Sequence, residues 1–306
     1  MTLSGASGAW VKATPWVFVL IWSTGFIVAR YGMPHSPPFS FLLLRYVLSI
    51  ACFLLWIVWA KVPWPQTRWQ WCHLCVTGIL VHACYLGGVW AAVKAGMGSG
   101  LSSLVVSIQP VLTAVWLSWV SKTASSADQA SPAVTSRQWL GLLLGFIGLL
   151  MVVWHKLRVP SPMDHVTTAN MLFALGALLA ITVGTLYQKR FVQPCDVRSA
   201  NTVQLMAAAV VTLPLALLES EAMRWNDELV GALAWSVLGL TLGGSSLFYL
   251  LIQRGAAAAV TSLLYLVPPT TAVMAWLLFG EGITAMTLAG TALTAVGVGL
   301  VVRSPR

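Results

Sequence analysis

Few residues in this chain could do chemistry inside an apolar environment, and their kinds narrow what that chemistry is. His82 sits within the apolar stretch 69–93, where an imidazole could move a proton or hydrogen-bond a neighbouring helix. Arg45, six residues into the stretch 39–60, could clamp a substrate carboxylate with two parallel hydrogen bonds. It could equally extend its guanidinium to the nearer membrane surface. Tyr85, Trp90, Tyr249 and Tyr265 would supply aromatic walls, and Gln109, Ser245 and Ser246 would add hydrogen-bonding groups. Aromatic walls with a few polar groups are the usual lining of a small-molecule site, so these nine residues are the substrate-binding candidates. Not every aromatic belongs to a site. Trp56, Trp59, Trp64, Trp69 and Trp71 cluster as an interfacial belt would.

What is missing is equally informative. All eight acidic residues fall in loops or at the ends of apolar stretches, the first of them Asp128. An intramembrane aspartyl protease needs paired acids within its helices, so that class is excluded. Ion coupling through a buried carboxylate is disfavoured for the same reason. The five cysteines make no disulfide framework, and "CHLC" (72–75) lacks a second ligand pair, so no metal site is expected. No phosphate-binding glycine loop is present, and the sequence calls for no cofactor. A membrane enzyme acting on a lipid or isoprenoid is the alternative to a transporter. It would need acids, histidines or metal ligands gathered at one face, and "ESEAMRWNDE" (219–228) has no such spacing.

These residues must be positioned by membrane helices. Of the 306 residues, 58% are hydrophobic and 8% charged, against roughly 25% charged in a soluble domain. Apolar runs long enough to cross a bilayer place ten spans at about 14–33, 39–60, 69–93, 99–120, 138–155, 168–188, 199–218, 229–252, 257–279 and 283–302. The first run lacks a cleavage pattern and is expected to be retained. Eleven Lys and Arg residues fall on the side of the termini and five on the other, which predicts cytoplasmic termini. Six of the eight acids lie on that other side. The asymmetry accounts for the net charge of +9, so no nucleic-acid partner is implied; lipids and a small solute are the expected partners.

The fold class is therefore an all-α integral membrane protein, and its ten spans divide into two similar halves. "SSLVVSIQPVLTAVW" (102–116) matches "TSLLYLVPPTTAVMAW" (261–276) at a separation of 159 residues. The same offset pairs Gly25 with Gly184, Gly96 with Gly255, and Arg45 with Gln204. Past Pro110 the offset falls to 149, pairing Gly141 with Gly290, because the polar loop 121–137 adds ten residues (159 − 149) to the first half. The halves are spans 1–4 with that loop (1–137) plus span 5 (138–160), followed by spans 6–10 (161–306). An odd number of spans per half inverts the second copy in the membrane, as in many secondary transporters. A central cavity between the halves is expected.

Pro110 and the pair Pro268 and Pro269 fall near the middle of spans 4 and 9, where proline removes a donor and disrupts the preceding turn. Irregular backbone at membrane depth is tolerated where it lines a cavity or is buried in protein. Both spans are expected to bend around the substrate path. Gly96 and Gly255, in the segments leading into these spans, are hinge candidates, and Gly25 and Gly184 are candidate points of close helix approach.

The chain resembles the drug/metabolite transporter superfamily, specifically its EamA-type members. The resemblance rests on "VLIWSTGFIVARYGMPHSPPFSFLLLRY" (19–46), "GMGSGLSSLVVSIQPVLTAVW" (96–116), "TLYQKRF" (185–191) and "RGAAAAVTSLLYLVPPTTAVMAWLLFGE" (254–281). It implies a basket of ten helices that exports amino acids or other small metabolites across a bacterial-type inner membrane. One feature departs from the family. The acid that often ends span 4 is replaced by Ser121–Lys122, whereas the second half keeps Gly280–Glu281.

Overall fold

The computed structural model describes residues 8–109, 112–113, 116, 135–158, 165–253 and 266–302. Pro110, Gly255, Tyr265 and most of the loop 121–137 lie outside the described residues. Those described are helical or in short connections, with no strand among them.

The helices follow the apolar runs closely. α1 is Gly8–Gly32, α2 Pro38–Ala60 and α4 Ser99–Val106; α5 is Ser136–Arg158, α6 Thr168–Phe191 and α7 Val197–Leu217; α9 is Val267–Phe279 and α10 Ala285–Val302. Two elements are composite. α3 consists of Arg68–Gly78, a π-helical segment Ile79–Leu86 and Gly87–Lys94. α8 consists of Asp227–Trp235, a π-helical segment Ser236–Ser245 and Ser246–Gln253.

The ends of these helices obey local chemistry. Thr67 caps α3 by accepting from the Gln70 amide, and Thr167 and Asn170 form a reciprocal capping box on α6. Asp196 caps α7 and Asn226 caps α8. Gly280, with φ 64°, closes α9 in the left-handed conformation that glycine adopts without penalty.

Five helices are long and apolar enough to cross a membrane: Pro38–Ala60, Arg68–Lys94, Thr168–Phe191, Val197–Leu217 and Asp227–Leu250. Shorter apolar helices accompany them among the described residues. Side-chain placement is inside-out relative to a water-soluble fold. Trp59 is 83% exposed and Leu218 82%, while Ser23, Ser49, Thr77 and Ser99 are fully buried. An apolar exterior, with hydroxyls and amides kept within a largely apolar core, suits a lipid surround.

Helices pair with their counterparts from the other half: α2 packs on α7, α4 on α9 and α5 on α10. α1 packs against α8 and α9, and α6 reciprocally against α3 and α4. Glycines permit the closest approaches. A side chain at Gly148 would strike the backbone of Gly290, one at Gly297 would strike Gly141, and one at Gly78 would strike Gln204. The α5–α10 pair thus packs backbone against backbone, and the Thr294 hydroxyl donates across it to the Gly145 carbonyl at 3.3 Å.

α4 stops at Val106, and Ser107 and Ile108 form a turn shortly before Pro110. α9 begins at Val267 with Pro268 and Pro269 in its first turn. The first turn needs no donor from the residues at its start, which is why proline is stable there.

Candidate functional site

A cavity of about 50 Å³, counted as space open to the centre of a water molecule, lies among α1, α2, α3, α6, α7 and α8. Roughly 10–15 Å³ of such space holds one water, so in this conformation there is room for several waters. α3 supplies Val81, His82, Tyr85, Leu86, Val89 and Trp90. α1 brings Trp22, Gly25 and Phe26; α2 brings Arg45; α8 brings Leu240, Ser245, Phe248 and Tyr249. Gln188 of α6 and Asn201 and Gln204 of α7 complete the wall.

The two π-helical segments aim much of this lining. Val81, His82, Tyr85 and Leu86 all fall in the π segment of α3, and Leu240 and Ser245 fall in that of α8. A π-helix bonds each amide to a carbonyl five residues back, and such segments are frequent at functional sites. Two side chains in α8 repeat the wider spacing. The Thr241 hydroxyl donates to the Ser236 carbonyl at 2.9 Å, and the Ser245 hydroxyl to that of Leu240 at 3.3 Å.

Arg45 is 3% exposed and turns into the protein instead of toward the surface. Its Nε donates to Thr241 Oγ1 at 3.0 Å. The neighbouring Tyr46 hydroxyl donates to the His82 carbonyl at 2.7 Å, tying α2 to α3. Gln204 reaches the His82 imidazole from α7. Two cavity-lining amides carry nitrogens without a partner, Nε2 of Gln188 and Nε2 of Gln204. The apolar part of the wall is aromatic: Trp22 stacks on Phe248 at 5.0 Å, and Trp90 stacks on Phe41 at 4.5 Å.

Of the nine binding candidates, Arg45, His82, Tyr85, Trp90, Ser245 and Tyr249 meet at this cavity. Gln109 lies in a small adjoining pocket with Ser103, Ser107 and Val267, where its amide donates to Thr185 Oγ1 at 3.0 Å. That pocket shares Trp22, Phe26 and Tyr85 with the main cavity, so α4 borders the same space. Pro268 and Pro269 lie behind it, against Leu104 and Ser107. Ser246 is half-buried with an unpartnered, inaccessible hydroxyl, and it is not part of the cavity lining. Among the glycines, Gly184 is pressed on α3, since a side chain there would meet Val81 at 2.7 Å. Gly25 borders the cavity with ordinary space beside it, its nearest neighbour being Leu240 at 3.6 Å. Gly96 has φ +93° and abuts the His165 ring.

Sequence reasoning missed Trp22, Phe26, Phe248, Gln188 and Asn201, and treated Gln204 only as the counterpart of Arg45. The amides carried a usable signal, because a glutamine in an otherwise apolar span needs a reason to be there. For Trp22, Phe26 and Phe248 no such signal existed, since aromatic residues are common throughout these helices.

Contacts between the halves flank the cavity. On the side of the acidic loops, the Glu219 carboxylate accepts from the Phe39 amide (2.9 Å), the Ser40 amide (2.7 Å) and the Ser40 hydroxyl (2.7 Å) at the start of α2. Glu281 does the same at the start of α4, accepting from the Ser99 amide (3.1 Å), the Ser99 hydroxyl (2.8 Å) and the Gly100 amide (3.4 Å). A carboxylate at a helix N-terminus meets unpaired amides and the positive end of the helix dipole. Lys94 pairs with Glu221 at 2.7 Å nearby, and His35 with Glu228 at 2.7 Å. On the opposite side Gln70 and Gln193 exchange two hydrogen bonds (2.7 and 3.0 Å), and His73 meets the Tyr187 hydroxyl at 2.8 Å. Among the described residues no cluster of three or more potential metal ligands occurs.

An apolar exterior around helices that gather an arginine, amides and aromatics at an internal cavity is the build of a multi-pass membrane transporter. More narrowly, the chain belongs to the EamA-like transporter family, which matches it twice, over residues 16–154 and 168–303. A Salmonella typhimurium protein named "Probable amino-acid metabolite efflux pump" is 25% identical, over 92% of this chain and 90% of that protein. An uncharacterized transporter of Synechocystis is also 25% identical, over 92% of this chain and 86% of its own length. A solved crystal structure shares the fold with a TM-score of 0.68 at 18% identity, covering 94% of this chain and 95% of that one.

Proposed function

We propose that this protein is a secondary transporter that exports a small organic metabolite, an amino acid or a related compound, across a bacterial-type inner membrane. The two five-span halves, inverted relative to one another, alternate access to the cavity between them, with both termini in the cytoplasm. The observation that carries this reading is the cavity itself. It lies between helices of both halves, and it brings an arginine, two unpartnered amides and an aromatic wall together.

Three further features support it. The family matches the chain once per half. The π segments of α3 and α8 nearly coincide at the repeat offset, since 79–86 advanced by 159 residues is 238–245, within the segment 236–245. The two proline-bearing spans, α4 and α9, pack on each other beside the cavity. Relatives in Salmonella and Escherichia coli, at 25% and 21% identity, are each named "Probable amino-acid metabolite efflux pump", which supports the substrate class.

Counterflow in proteoliposomes tests the reading. Vesicles loaded with unlabelled amino acids and their deaminated analogues should take up the labelled form of at least one of them. Uptake no faster than in protein-free vesicles across the whole panel would refute it.

A further inference from the structure

We propose that the cavity is an organic-anion site. Arg45 is the counterion of a carboxylate on the transported solute, and the amides of Gln188 and Gln204 are its neutral donors. This rests on the transporter reading above and narrows its substrate class.

The argument begins with an unbalanced charge. Arg45 is buried within a span, and the chain contains no Asp or Glu before Asp128 and none inside any span. Its one protein hydrogen bond among the described residues is from Nε to the neutral Thr241 hydroxyl. A buried cation without a counterion is among the least favourable arrangements in a protein, and removing one partner of a buried pair is strongly destabilising. A guanidinium whose Nε is already used still presents two terminal nitrogens, a fork that fits one carboxylate.

The amides make the same point independently. Gln204 and Gln188 are 3% and 4% exposed, both line this cavity, and the Nε2 of each lacks a partner. Buried donors are nearly always satisfied in folded proteins. Two such amides on residues that line one cavity, beside an unpaired cation, leave three donor groups around a space whose lining supplies no anionic acceptor.

The same inventory says what is not recognised. An α-ammonium group is held best by a carboxylate, and none lines the cavity, where the nearest charge is instead the like charge of Arg45. The carboxylate alone is the recognised group, so a deaminated acid should bind at least as tightly as the amino acid of the same skeleton. The apolar remainder of the solute faces the Trp22–Phe248 stack and Trp90, which favours an aromatic or branched hydrocarbon body.

The test is equilibrium binding to the purified full-length protein in nanodiscs, by isothermal titration calorimetry. The probes are 3-phenylpropionate, L-phenylalanine and phenethylamine, with 4-methylpentanoate, L-leucine and isopentylamine as a second skeleton. At least one carboxylate should bind at least as tightly as its amino acid and at least 100-fold more tightly than its amine. Arg45→Gln should weaken that carboxylate tenfold or more. Gln204→Leu should weaken it several-fold at an unchanged melting temperature, which keeps the test available if Arg45→Gln does not fold. Amine binding comparable to the carboxylate would overturn the inference, as would no carboxylate binding on either skeleton. An anion affinity unchanged in folded Gln204→Leu and Arg45→Gln would overturn it too. Counterflow separates this from the parent reading. Exchange of amines or neutral solutes alone would leave a transporter without an anion site, whereas carboxylate binding with no exchange would leave the anion site without transport.

Discussion

The two carboxylates that cap α2 and α4 should act as latches on the side of the acidic loops, and their strength can be worked from the hydrogen bonds. Glu219 and Glu281 each belong to the second half, and each accepts three bonds from a helix start in the first half. Any opening on this side must break them. Replacing either by glutamine removes the charge and one accepting oxygen while keeping size and one carbonyl. A hydrogen bond to a charged group is worth about 1.5–3 kcal/mol, so each substitution should favour the open form by that amount, roughly 10- to 150-fold. The assay is the labelling rate of one introduced cysteine, Ser36→Cys, in a background without the five native cysteines, using a membrane-impermeant maleimide. Ser36 is fully buried beside this junction, so its modification reports opening. Labelling should accelerate at least tenfold in Glu219→Gln and in Glu281→Gln. Glu221→Gln supplies the contrast. It removes only the partly exposed Lys94 pair, and such pairs contribute about 0–1 kcal/mol, so the change should stay within about fivefold. Labelling within twofold of the parent in both latch variants, at unchanged melting temperature, would refute the reasoning.

Gly184→Ala should lower the melting temperature by several degrees, because its new methyl group would meet Val81 at 2.7 Å. Gly25→Ala should be close to neutral, with 3.6 Å available; circular dichroism melts in detergent compare the two. Gly96→Ala combines a φ of +93° with a clash against His165, and should destabilise by about 1–3 kcal/mol, read from the same melts. Asp196 caps α7, and the Arg198 guanidinium hydrogen-bonded to it holds its carboxyl below the usual carboxylate range. A depressed carboxylate stabilises the fold at neutral pH, and this contribution is lost as pH falls below about 4 toward the lowered value. Asp196→Ala should therefore cost about 1 kcal/mol near pH 7 and progressively less in acid, measured as melting temperature against pH.

How much of this could be read in advance depended on whether the signal was chemical or geometric. Helix positions were legible because a bilayer demands long apolar runs, and α2 and α6 begin within one residue of the expected starts at 39 and 168. Pro268 and Pro269 fall in the first turn of α9, where a bend was expected, and Pro110 lies outside the described residues. Composition could not distinguish these outcomes, since proline is acceptable both at a kink and in a first turn. Arg45 and His82 stood out because charge and titratable groups are costly in hydrocarbon, and both reach the cavity. The π segments were invisible. "ILVHACYL" (79–86) reads as ordinary apolar helix, and only the packed bundle reveals the wider turns. Their consequence is a change of phase. In a regular α-helix His82 and Tyr85 lie three residues apart on one face, but a wider turn rotates everything beyond it relative to everything before it. Trp90, after the π segment, and Val81 and His82, within it, therefore reach one cavity in a register that a 3.6-residue period does not assign. In α8 Ser245, at the end of the π segment, lines the cavity and the adjacent Ser246 does not. The candidate site was thus legible residue by residue where polarity in the membrane needed an explanation. It was illegible for Trp22, Phe26 and Phe248, aromatics that nothing in the sequence sets apart from the many others in these apolar helices.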